Sequence, residues 1–240
     1  MASPQRLPDN VDAQLWRSVM QARSDFLMHQ FGALPREIHQ LRNVQPIWPG
    51  GGVCQMSAPS LNNLGVCTTF GLSNVGMPVS MGVDASQPTT PGDAPRLIPR
   101  TPREMPPGLA GYGYELLVLT PQADTWPMLA LGWFVEMEML SDIDLLGNVA
   151  ANNGVTVTDV QLGDGSRTGS FLVQPACSPI LARVNLPNGL MNVLTATWIT
   201  QDELAFASAS EDGRWELLNR LLAAGVGPIS ILDRPSVLTR

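Results

Sequence analysis

Few side chains in this sequence are equipped for catalysis. Cys54, Cys67 and Cys177 are the thiols, and His29 and His39 are the only imidazoles. A Cys–His mechanism needs an imidazole within hydrogen-bond reach of the thiol and a third group to orient it. His29 falls on an expected helix, and no cysteine has a catalytic context around it. Two histidines ten residues apart, with no HxxxH, HxH or CxxC, supply no zinc ligand set. Glu136, Glu138, Asp142 and Asp144 lie close together, yet only Glu138 and Asp142 stand at i, i+4, and the DxDxDG spacing of a calcium loop is missing. GDGSRTGS (163–170) and GYGYE (111–115) both lead into strand-like runs. Neither therefore builds the loop and helix N-terminus whose amides converge on a phosphate. No carboxylate pair stands out for glycoside chemistry. The reading is a non-catalytic binding protein without metal or cofactor; a small hydrolase using Cys67 or Cys177 is the competing enzyme reading.

Charge narrows the partners. The 240 residues carry 21 acids and 14 arginines but no lysine, for a net charge of −7. With a pI near 4.7 there is no basic face for nucleic acid. Arginine-only basic content fits a GC-rich genome. Glu104 to Ser166 holds nine acids and no arginine, while the remainder is close to balanced. On one face, such a segment would speed docking to a basic protein. Glu136, Glu138, Asp142 and Asp144 are the candidate partner contacts. The longest uncharged apolar stretch, 126–135, is too short to span a membrane. An odd cysteine count without CxxC suits free thiols, and the N-terminus lacks an apolar signal core, so a cytoplasmic protein is expected.

At 44% hydrophobic and 15% charged, the chain has material for a packed core. Apolar spacing predicts an opening helix from Asp9 to Gly32, short strands at 53–56 and 66–70, and a strand at 111–120 apolar on both faces. Seven prolines between Asp84 and Gly108 predict a surface loop at 84–108, whose PxxP spacings and Arg96, Arg100 and Arg103 offer a partner motif. A helix over 126–140 is expected to bury Trp126, Leu129, Trp133, Met137 and Leu140. Strands follow at 155–160, 171–173 and 191–199. Thr200 with Glu203 forms a capping box for a short helix. Asp212 caps another with Trp215, Leu218, Leu221 and Leu222 inward and Gly225 at its end. Residues 229–232 read as a last strand, and DRPS (233–236) as the end of the ordered chain. Irregular alternation without a repeat predicts α+β: a single domain, residues 1–240, with a central mixed sheet flanked by helices.

The succession FGALPREIH (31–39), VCTTFGLSNVGMP (66–78), GYGYELLVLTP (111–121) with its Trp-led helix, and WITQDELAFASASEDGRWELLNRLLAAGVGPISILDRPSV (198–237) resembles the suppressor of fused-like family. Two departures are VCQMSAP (53–59), where many members have an acidic strand, and the long Pro-rich insertion. The resemblance implies a mixed α/β domain with no cofactor and no catalytic residue, matching the family's basic domain without the C-terminal half of animal members. Animal members sequester a transcription factor. Bacterial members, to which the arginine bias points, resemble immunity proteins that neutralise a toxin domain. The expected partner is thus a protein, either a toxin domain or a regulatory protein bound at a sheet edge; the oligomeric state is left open.

Overall fold

A computed structural model of the chain describes residues 12–79, 81–84, 96–162 and 167–239. Helix α1 (Ala13–Phe31) begins where the Asp12 carboxylate accepts from the amides of Gln14 and Leu15, and stops where Gly32 turns left-handed. Strands β1 (Gly52–Ala58) and β2 (Leu64–Phe70) form a hairpin, and β3 (Met81–Val83) pairs with β4 (Leu97–Pro99) in a separate small sheet. Next come β5 (Leu109–Thr120), α2 (Trp126–Ser141), α3 (Leu145–Asn152), β6 (Val155–Gln161), β7 (Thr168–Pro175), β8 (Arg183–Leu186), β9 (Gly189–Ile199), α4 (Gln201–Ser208) and α5 (Gly213–Ala223).

The seven-stranded sheet runs β1-β2-β5-β9-β7-β6, with β8 pairing β9 beyond the end of β7. Only β5 and β9 are parallel, and the other ladders are antiparallel. The fold is therefore α+β with a mixed central sheet. From Ala110 to Thr120, β5 is buried throughout, as a strand covered on both sides must be. One face packs Tyr114, Leu116, Val118 and Phe171 against Phe134 and Val135 of α2 and Val149 of α3. The opposite face packs Leu117, Leu119 and Val193 against Phe26, Leu27 and Phe31 of α1. A smaller cluster joins Leu172 and Ile199 to Ala207, Leu217 and Leu221 of the last two helices.

Glycine is required at 111. Its φ is +58°, and a Cβ there would sit 2.3 Å from the Leu72 carbonyl oxygen, which accepts the neighbouring Tyr112 amide at 2.9 Å. The β5–β9 register shifts at this point.

Several expectations need correction. Helix α2 is apolar almost all round, and it buries Trp126, Ala130, Leu131, Phe134, Val135 and Met139; Leu129 and Leu140 face solvent. Helix α5 turns Leu217 and Leu221 inward, whereas Trp215 is 57% and Leu222 43% exposed. The Asp212 side chain makes no capping hydrogen bond, although Gly225 is left-handed as expected. Residues 229–232 make only an isolated bridge, Ile229 to Leu119. The chain does not end its order at 233–236, because Arg234 is buried and a 3-10 turn follows at Val237–Thr239. Within the proline-rich segment, residues 85–95 lie outside the described residues, as do residues 163–166 of GDGSRTGS. The rest of the proline-rich segment is anchored: β4 pairs with β3, and Arg100 donates to the Met139 carbonyl at the end of α2.

Candidate binding surface and cleft

The four acidic candidates sit on the last turns of α2 and its connection to α3. Asp142 and Asp144 both take left-handed backbone conformations, which Asp tolerates better than bulkier residues. Asp144 also caps α3 by accepting the Gly147 amide at 3.2 Å. Glu138 is fully buried and accepts from the Tyr114 hydroxyl (2.9 Å), the Leu145 amide (3.0 Å) and Arg103 (2.6 Å). Arg103 donates to Asp142 as well, at 2.7 Å, and lies 3.6 Å from Asp144. The structure thus gathers Glu138, Asp142 and Asp144 around one arginine that borders the acid-only segment. Glu136 stands apart, accepting from Asn43 at 2.8 Å. Burial, followed by the Glu138 charge, pushes the Tyr114 hydroxyl well above its ordinary pKa and keeps it a donor.

Two more acids that contribute to the sequence charge are spent inside. Glu115 accepts from Arg23 (3.2 Å), Thr69 Oγ1 (2.7 Å), Ser73 Oγ (2.6 Å) and the amides of Gly71 and Ser73. Arg23 also bonds Asn74 and lies over the Phe70 ring, 4.2 Å from its centroid. This carboxylate therefore holds the turn after β2 in shape. Glu203 completes the expected capping box and also receives both terminal nitrogens of Arg234 (2.6 and 2.7 Å) and the Val237 amide (2.8 Å). Burial opposes its charge, but those donors and the Arg234 charge outweigh it and hold the Glu203 carboxyl below the usual glutamate range.

A cleft of about 820 Å3 opens between α3, the β7–β8 connection and α5. Its walls include Leu146, Ala150, Ala182, Trp215 and Leu218, with Cys177 and Arg183 on the strand side and Glu211 and Asp212 before α5. Neither histidine lines it, so the one half-exposed thiol meets no imidazole there. Cys54 and Cys67 are buried; burial, reinforced by Asp124, pushes the Cys67 thiol up to about 12, and Cys54 rises for the same first reason. Among the described residues no group of three His, Cys, Asp or Glu side chains is placed to hold a metal ion. No helix among them is long and apolar enough to cross a membrane.

With 92% of the chain aligned, the structure matches the Sufu–Fu complex crystal structure at TM-score 0.50 and 17% identity, covering 93% of that chain. It also matches the crystal structure of Drosophila Suppressor of Fused at TM-score 0.52 and 18% identity. The fold is suppressor of fused-like. No family model and no curated protein matches the sequence. The chain spans 52% of the Drosophila chain.

In this suppressor of fused-like fold the resembling segments meet in space. VCTTFGLSN and GYGYELLVL are neighbouring strands stitched by Glu115, and WITQDEL is closed against DRPS by Glu203 and Arg234. The cleft is the feature that sequence reasoning missed. Its only signal was a helix with more apolar positions than one buried face can use.

Proposed function

We propose that this chain is a stoichiometric, non-catalytic protein-binding domain of the immunity type, which neutralises a toxin domain in the bacterial cytoplasm by covering its working surface. The observation that carries the binding reading is the fold: 92% of the chain matches a chain of the Sufu–Fu complex crystal structure. The toxin reading adds the resemblance to bacterial members and the acidic surface at the α2–α3 corner. Glu136, Asp142 and Asp144 are the contacts assigned to the partner. Glu138 takes part by holding Arg103, and through it the geometry of that corner, because its own side chain is buried.

Acids on the surface raise the association rate with a basic protein and make it salt-dependent. The test replaces Glu136→Arg, Asp142→Asn and Asp144→Asn together. Asparagine tolerates the left-handed backbone and keeps the cap, so the fold is spared. Partner affinity is expected to fall about tenfold or more and to lose much of its salt dependence. Unchanged affinity and salt slope would overturn the acidic docking surface. A regulatory partner bound by strand addition is the second reading. It is favoured by β8, which among the described residues pairs only with β9.

A further inference from the structure

Sequence spacing assigns Trp215, Leu218, Leu221 and Leu222 to the buried side of α5, yet the core is closed by Leu217 and Leu221, with Leu218 only partly buried against it and Trp215 and Leu222 exposed. Two of these side chains meet in one place. Trp215 and Leu218 form one wall of the 820 Å3 cleft, and Leu146 with Ala150 of α3 forms the facing one. A volume in the range of pockets that enclose ligands, about 300–1,000 Å3, lined by an exposed indole, is a receiving shape rather than a packing fault. An element that satisfies its core and still carries a second apolar face departs from local consistency in the way binding surfaces do.

Charge selects the occupant. Glu211 and Asp212 border the cleft beside Trp215, and neither carboxylate has an ion-pair partner among the described residues. Arg214, next along, is turned to the Asn152 carbonyl at 3.4 Å. Arg183 lies on the strand side of the cleft. Two carboxylates beside the indole against the single Arg183 in the cleft lining leave a negative excess that favours a cationic side chain, by cation–π attraction and by ion pairing.

We propose that the cleft is a docking site for a segment of a partner protein, which inserts an apolar side chain against Trp215 and Leu218 and sets a basic side chain beside Glu211 and Asp212. This rests on the protein-binding reading. It is continuous with the acidic corner: Leu146 on the cleft wall stands two residues beyond the Asp144 cap of α3, so one partner can reach both.

The test is a titration of the whole chain with two capped hexapeptides, alternating Leu-Arg and alternating Leu-Glu. It is followed by the indole N–H resonances, with Trp215→Phe identifying the signal of Trp215. The Leu-Arg peptide is expected to shift that signal saturably, about tenfold more weakly after Glu211→Gln with Asp212→Asn, and the Leu-Glu peptide to leave it still. A non-saturable shift, an equal response to both peptides, or no loss in the double variant would overturn the site. So would dimerisation of the free chain that Trp215→Ala abolishes, which would give the cleft to a second copy. Retained capture of the natural partner by Trp215→Ala with Leu218→Ser would remove the cleft while leaving the protein-binding reading standing.

Discussion

Glu115, Glu138 and Glu203 contribute equally to the net charge in sequence but share one fate in the fold: each is buried against an arginine. The partners lie 92, 35 and 31 residues away. Arginine suits this position because its planar fork bonds several acceptors at once, whereas lysine would present a point charge. Removing one member leaves the other charged and unpaired, so Arg23→Ala is expected to cost about 3–5 kcal/mol in urea unfolding. Arg23→Lys should restore only part of that loss. At Glu203 the folded pKa is depressed, so its contribution to stability is present above the ordinary glutamate value near 4.5 and is lost as pH falls through the lower folded value. The stability gap between the wild type and Glu203→Gln should therefore be widest above about pH 5 and close in acid; a gap that widens in acid would contradict the assignment. Thiol labelling is expected to reach Cys177 in the native protein, and Cys54 and Cys67 only on unfolding. The Thr200–Glu203 cap was legible because its partners are three residues apart. The arginine partners were not, since nothing local in the chain records a contact across dozens of residues.

At the scale of elements, periodicity located helices better than it oriented them. In α5 the apolar positions 215, 217, 218, 221 and 222 cover more than one face at helical spacing, and only packing buries Leu217 and Leu221, partly covers Leu218 and leaves Trp215 and Leu222 exposed. Leu217→Ala is expected to cost about 2–5 kcal/mol, and Trp215→Ala within about 1 kcal/mol, in the same unfolding measurement. The reverse order would place the indole in the core and remove the cleft argument. Helix α2 presents a related difficulty: apolar on nearly all sides, it offers other stripes beside that of Trp126, Leu129, Trp133, Met137 and Leu140, and its buried face is set by the sheet beneath it. Strand β5 was plain because both its faces are buried and its apolar run is continuous. Short α3 and β8 went unseen. Eight and four residues give too few turns or alternations for a period to register.

For the whole molecule, the class of the fold was readable from the irregular mix of strands and helices, but the pairing was not. The parallel contact of β5 with β9 joins strands separated by two helices and three other strands. That same contact sets β5 and β9 side by side at the centre of the sheet, while the acidic corner lies at the start of α3 and the cleft runs along it. The acid surplus also changes meaning in three dimensions. Among the described residues two of its carboxylates, Glu115 and Glu138, are internal, and Arg103 compensates the corner from just outside the segment, so Glu136, Asp142 and Asp144 carry the surface argument.

The central claim is stoichiometric binding of a protein. Its most direct test is affinity capture of the tagged full chain from its own cells, with mass determination of the eluted complex. The account predicts one protein at equimolar ratio, released by salt and retained poorly by the Glu136→Arg, Asp142→Asn, Asp144→Asn variant. Elution of the chain with no equimolar protein would contradict it.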